Sequence, residues 1–464
     1  MTLPLILSFS QRSPSTWDII LQFLDVEAIK NLRLTNRHLG GEALNPRLKH
    51  FLETKTTDLT DESLGSLAAL AAHPFGVSVK CLTIVASLYD TSKTEEILKS
   101  GERCEIEFSG VFTSKTWHEC AEEELASTRS DLAWLRKKKN EQQEASDETV
   151  TTSLTKALRA FRRLDALELD AVVYESPELK VSTLESDWPS IWQRASQVYR
   201  VAMTAVARSG VEVGALQVYS NTPRCSVSIH ELAEHMQSLR ADKFGRAGAS
   251  ITSFSLSICR ETTRHDETEQ ARLGPDEPSL AGVAHLLEEM PNLATLDLHV
   301  YRTLGDVAAV FDPIASRIHL TSLQQCALRG ISTDKKSLLQ FLTNHATMKS
   351  LELSHMHIDA EWGPLIAQVV TVLPDLQRLH LSNLWANKVL TNLQPAWESA
   401  ALKAHEREWG YPCAGKKQLV HTLVLDEGDL KREMEFQPTP RGRSLGSPSL
   451  RRWMLANRRD FGPP

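Results

Sequence analysis

"PSLAGVAHLLEEMPNLATLDL" (Pro278–Leu298), "KKSLLQFLTNHATMKSLEL" (Lys335–Leu353) and "GPLIAQVVTVLPDLQRLHL" (Gly363–Leu381) share one plan. In each, apolar residues at helical spacing run into a short segment reading apolar, two others, Leu, one other, Leu, where the period changes to two. The strict pattern occurs at Leu164-Leu167-Leu169, Leu293-Leu296-Leu298, Met348-Leu351-Leu353, Leu376-Leu379-Leu381 and Val420-Leu423-Leu425. Looser forms stand at Val79-Leu82-Ile84, Val213-Leu216-Val218, Ile251-Phe254-Leu256 and Leu323-Cys326-Leu328. Looser forms arise on the order of ten times by chance at this apolar content, so alone they carry little weight. From Leu293 the first positions lie 30, 25, 28 and 44 residues apart. Helix then strand at a period of roughly 20 to 30 residues predicts an irregular leucine-rich α/β solenoid, its earlier units interrupted by long insertions, in preference to a mixed α/β domain. Each unit has too little apolar surface to stand alone and buries it against its neighbours.

The rest of the chain sets the limits of that reading. At 464 residues it exceeds one core, and its 41% hydrophobic and 24% charged content is that of a soluble globular protein. A net charge of -7 gives no general attraction to nucleic acid or anionic lipid. Seven scattered cysteines without a C-x-x-C pair argue against a disulfide framework or a structural zinc and fit a cytoplasmic or nuclear setting. The apolar opening "LPLILSF" is too short to span a bilayer and lacks the basic residue of a signal peptide, so no membrane association is expected.

Before the first unit the texture is helical. In "WDIILQFLDVEAIKNLRLTNRHLGG" (Trp17–Gly41), Trp17, Ile20, Leu21 and Leu24 make one apolar helix face, and Asp25 can cap a second helix that Gly40-Gly41 ends. Asn45-Pro46 opens a third helix, and a fourth is predicted over Asp61–Ala72, stopped by Pro74. The predicted organisation is thus a helical domain over 1–73 and a solenoid over 76–428 with a polar loop near 141–151. Arg272–Ser279 reads as a loop, and a basic Pro/Gly/Ser-rich tail over 431–464 as disordered. A sixth strict match, Ile29-Leu32-Leu34, falls in the second helix and is a decoy.

No motif calls for catalysis. "SIHELAEHM" (Ser228–Met236) misses the zinc-protease spacing, because His235 stands five residues after His230, about 140° round a helix, so a surface helix is expected. His355, His357 and Asp359 cluster in "LSHMHIDAEW", and alternation at a strand end accounts for the two histidines without a metal. There is no phosphate loop, no Gly-x-Ser-x-Gly elbow and no Cys/His pairing, so a non-enzyme without cofactor or metal is expected. The basic run from Lys30 to Lys49 brings a DNA-binding helix-turn-helix to mind. Its second helix has no row of base-reading polar residues, so nucleic acid is not the expected partner.

"DIILQFLDVEAIKNLRLTNRHLGGEALNPRLKHFL" resembles an F-box: a helix ending Phe-Leu-Asp, a second carrying Leu-Arg-Leu-x-Asn-Arg, then a short third. The likeness covers about forty residues. It departs at the start, where Arg12-Ser13 stands in place of the family's Leu-Pro and Pro14 comes one position late. An F-box followed by units such as "MPNLATLDL" and "LPDLQRLHL" is similar to the F-box/leucine-rich proteins of fungi. The resemblance implies a Skp-type adaptor, and through it a cullin ubiquitin ligase, bound by Pro14, Ile20, Leu24, Leu32, Arg33, Leu34, Asn36 and Arg37. It also implies a protein substrate held on the solenoid. If the Leu-x-Leu positions face the core, the alternating residues face outward. Asp297, His299, Arg329, Glu352, Arg378, His380 and Asp426 are then the substrate-binding candidates, with Arg329 and Arg378 as anchors. Two alternatives stay open: a leucine-rich interaction scaffold whose F-box has decayed, and an enzyme whose site is assembled from residues distant in sequence.

Overall fold

A computed structural model describes residues 28, 31, 51–109, 112–181, 183, 188–259, 277–301, 308–386, 389–393, 422–432 and 436. Among these, no repeat position singled out above is more than 5% exposed, in strict and looser units alike. Removing these side chains from water is what drives the segments into strands packed beneath helices.

The strands in the first half are β1 (Thr54–Thr57), β2 (Cys81–Tyr89), β3 (Glu102–Ser109), β4 (Phe112–Glu119), β5 (Arg163–Tyr174) and β6 (Lys180–Val181). There follow β7 (Glu212–Val218), β8 (Val227–Ser228), β9 (Ser253–Cys259), β10 (Thr295–Val300) and β11 (Gln325–Arg329). The last are β12 (Ser350–Ser354), β13 (His357–Ile358), β14 (Arg378–Ser382), β15 (Trp385–Ala386), β16 (Val389–Leu390) and β17 (Thr422–Asp426). The helices are α1 (Asp61–Ala72), α2 (Ser92–Ser100), α3 (Glu122–Glu144), α4 (Asp147–Phe161), α5 (Trp188–Ser209) and α6 (Ile229–Ala241). Beyond them lie α7 (Phe244–Gly248), α8 (Glu277–Glu288), α9 (Ala308–Arg317), α10 (Lys335–Asn344) and α11 (Trp362–Val372).

The protein is a mixed α/β structure built on a mostly parallel sheet, whose main path runs β1-β2-β5-β7-β9-β10-β11-β12-β14-β17 in chain order. Pairing is parallel from β1 to β14, and the register aligns the repeat. Leu82, Leu167, Leu216, Phe254, Leu296, Cys326, Leu351 and Leu379 stand side by side, as do Ile84, Leu169, Val218, Leu256, Leu298, Leu328, Leu353 and Leu381. Parallel strands need a crossover between them, and helices supply it. The Asp334 carboxylate caps α10 by accepting from Ser337 N at 2.6 Å, and Leu338, Phe341 and Leu342 turn inward. Helices also pack on one another, as where α8 meets α6. A Cβ on Gly282 of α8 would lie 2.8 Å from Ala233 Cα, so only glycine permits this approach.

The strand exits repeat as well. Tyr219, Gly330, His355 and Asn383 each follow the last residue of β7, β11, β12 and β14, and all four hold φ between 50° and 70°. Only glycine adopts that left-handed turn without steric cost, and asparagine tolerates it better than most residues. Two residues past the His355 and Asn383 turns, His357 and Trp385 begin the parallel pair β13–β15, their rings stacked at 5.5 Å. The His355/His357 pair therefore reflects a chain turn and a second narrow ladder, and alternation along one strand does not account for it.

Several expected boundaries are corrected. The helical domain does not extend to residue 73, because β1 pairs with β2 and α1 packs on α4, making 54–72 the first unit of the sheet. Helix α1 itself occupies Asp61–Ala72 as expected, capped by Thr60 Oγ1 accepting from Ser63 N at 3.3 Å. The polar loop near 141–151 is only the break at Ala145-Ser146 between α3 and α4, since Asp147 and Glu148 form the acidic first turn of a new helix. Residues 277–279 of the expected loop open α8. The last strict unit does not continue the parallel series, because β17 pairs antiparallel with β14, Leu423 facing Leu381 and Leu425 facing Leu379. The three helices expected before α1, apart from a few residues, and nearly all of the 431–464 segment lie outside the described residues. Among the described residues no helix is long and apolar enough to cross a membrane.

Candidate binding face of the sheet

Alternation along each strand places the residues between the buried leucines on the sheet's other face, where they are partly or fully exposed. Parallel register then turns sequence positions into rows. One row runs Glu168, Gln217, Ser255, Asp297, Ala327, Glu352 and His380, ending opposite Val424 on β17. Beside it runs Ser257, His299, Arg329, Ser354 and Ser382, ending opposite Thr422.

Four of the seven substrate-face candidates form one connected group. Arg329 Nη2 lies 3.5 Å from Asp297 Oδ2, and its Nε lies 3.2 Å from Glu352 Oε1. His380 Nδ1 lies 3.5 Å from Glu352 Oε2, so the chain of charges crosses from β10 to β14. Burial pushes the Asp297 carboxyl up from its ordinary range, Arg329 opposing and Glu352 adding to the shift. Glu352 moves the other way, held down first by its hydrogen bond with His380 and further by Arg329, against the effect of burial. One guanidinium thus serves two carboxylates, and Asp297 Oδ1 is buried without a donor. His299 Nδ1 sits 3.2 Å from Ser257 Oγ, and its ring centroid is 4.5 Å from that of Tyr301. Ser257 is fully buried and donates to Tyr219 O at 3.3 Å, so the pair orients an imidazole and presents no accessible nucleophile.

The remaining candidates stand apart from the group. Arg378 and Asp426 are exposed and oppose each other in the β14–β17 register. The two expected anchors therefore differ: Arg329 is committed to internal carboxylates, and Arg378 is open to solvent. Glu168, Gln217, Ser255 and Ser257 share the same face but were not among the sequence candidates. The signal for them was present in Leu164-Leu167-Leu169 and the looser units, whose alternating residues fall into these rows once the register is known. Pro14, Ile20, Leu24, Leu32, Arg33, Leu34, Asn36 and Arg37 lie outside the described residues.

Among the described residues no group of three His, Cys, Asp or Glu is arranged to hold a metal ion. The arrangement offers fixed charges, hydrogen-bonding groups and an open sheet face. No family model matches the chain, and no curated protein matches it.

Proposed function

We propose that this chain is the substrate-recognition subunit of a Skp-cullin-F-box ubiquitin ligase acting in the cytoplasm or nucleus. In this reading a helical F-box in the first fifty or so residues takes the adaptor. An irregular leucine-rich-repeat-like solenoid presents its open sheet face to a protein substrate. The observation that carries the recognition half is the aligned polar face, with the Asp297–Arg329–Glu352–His380 group spanning neighbouring strands opposite the buried leucines. The adaptor half rests on the order of residues in Trp17–Gly41. The mechanism is recruitment: a held substrate meets the ubiquitin-loaded enzyme at an effective concentration on the order of millimolar, without bond-making by this chain.

The test is capture of the full-length protein by a purified Skp-type adaptor, beside the double variant Leu24→Asp/Leu32→Asp and a chain lacking residues 1–50. That deletion stops short of β1 and spares the sheet. Binding by the intact protein and its loss in both variants, with unchanged circular dichroism of the sheet, is the expected result. Failure of the intact protein to bind would favour the scaffold with a decayed F-box, a reading supported by Arg12-Ser13 at the altered opening. Within the ligase reading, Arg329→Ala/Arg378→Ala should reduce substrate capture about tenfold or more while leaving adaptor binding intact.

A further inference from the structure

A cavity of about 410 Å³ opens at the C-terminal ends of β1 and β2, next to Asp58 and Tyr89. The starts of α1 and α4, the last turns of α3 and the first half of α5 enclose it. Helix α3 belongs to a segment inserted between β2 and α4, together with α2 and the β3–β4 hairpin, so the wall it forms is an addition to the repeat. It is held in place by its Trp134, which packs on Tyr89 at 5.7 Å and Tyr174 at 5.9 Å between ring centroids.

Five carboxylates and three cations line this cavity, and the arginines of α5 around it are not equally paired. On α5, Arg200 pairs with Asp147 at 2.9 Å and Glu231 at 2.7 Å, and Arg208 pairs with Glu148 at 2.7 Å and Asp242 at 3.2 Å. Arg194, on the same helix and lining the cavity, is largely buried and has no such carboxylate. Its Nη1 donates to Gln197 Oε1 at 2.7 Å, and its Nε meets no acceptor. Acidic groups line the cavity too, but most are engaged elsewhere. Asp147 is taken by Arg200 and accepts from Gln197 Nε2 at 2.7 Å, and Glu141 holds Lys138 at 2.9 Å. Asp58 accepts from the Thr60 backbone N at 3.2 Å and from its hydroxyl at 2.8 Å. Asp61 and Glu62 are exposed at the first turn of α1. Asp147 and Asp58 favour the Arg194 charge from a distance, but no carboxylate contacts it, and an oxyanion entering the cavity would supply that contact. Leu59, Val150, Val198 and Val201 supply apolar wall beside it.

We propose that this cavity binds a small organic anion, a carboxylate or phosphate monoester on a compact apolar body, with its oxyanion against Arg194 and its body against the valines and Leu59. The volume is that of a site for a small molecule, and the crevice past the carboxyl ends of parallel strands is where such sites form. The inference is independent of the adaptor and substrate surfaces above.

Titration calorimetry on the full chain should compare benzoate and phenyl phosphate with benzyl alcohol and benzamidine, all carrying one ring. Saturable binding is expected for an anion, benzoate if the planar group fits and phenyl phosphate if the tetrahedral one does. Benzyl alcohol and benzamidine should bind at least about tenfold more weakly. Arg194→Met should weaken anion binding by at least about tenfold, with Lys336→Met on α10, outside the cavity lining, leaving it unchanged. Val150→Phe, which fills the cavity without altering charge, provides a second variant should Arg194→Met fold poorly, and it should abolish binding. Preference for benzamidine, anion binding untouched by both cavity variants, or no binding by any probe at millimolar concentration would overturn the proposal.

Discussion

His235 shows how one buried side chain couples stability to pH. It is 5% exposed, its Nε2 lies 2.8 Å from Thr204 Oγ1, and burial, aided by the charge of Arg200, lowers its pKa to about 4. The unfolded chain takes up this proton near pH 6.5, the folded chain only near 4, so the contribution is complete above 6.5 and is lost as pH falls between those values. The change is worth about 3 kcal/mol. Urea unfolding at pH 7 and pH 4.5 should show it as a loss of stability that His235→Gln largely removes. Spacing excludes a zinc-protease helix here and reads the segment as a surface helix, whereas the structure buries His235 on its inner side with Ile229, Leu232, Met236 and Leu239. Which side of α6 faces inward depends on α5 and α8, which pack on it, and spacing alone does not reveal them. The sheet face was more legible, because alternation places Asp297, Arg329, Glu352 and His380 opposite the buried leucines, while their contacts with one another come from the register.

At the level of elements, helix–helix fit and strand filling make separate predictions. Gly282→Leu would drive a side chain into Ala233 and separate α8 from α6, a loss of about 2–3 kcal/mol measurable by denaturant midpoint. Leu353→Ala, in a fully buried ladder position, should cost about 3 kcal/mol and leave the outward residues in place. Elements whose pattern has a direction or a stop signal were readable, as α1 was from its apolar spacing and Pro74. β17 was not, because Leu-Val-Leu reads the same forwards and backwards and its alternation fits parallel and antiparallel pairing equally. The Ala145-Ser146 break was misread for a different reason: serine and acidic residues suit a loop and a helix start alike, and the buried Leu154, Leu158 and Phe161 that decide the matter come later.

For the whole molecule, the repeat predicted adjacency better than it predicted limits. It anticipated neighbours in chain order, but β1 and α1, which carry no Leu-x-Leu signature, belong to the sheet all the same. Because each strand on the main path is bonded to the one before and the one after it in that path, force applied at residues 54 and 426 crosses the ladder sideways, loading few hydrogen bonds at a time. The molecule should therefore yield like a zipper drawn tooth by tooth. In an optical trap, extension should advance in several small steps at low force, each releasing one helix–strand unit, and a single cooperative rupture of the whole sheet would contradict this. A protein tethered between two partners would then act as a graded spring, lengthening under tension while its remaining units stay folded.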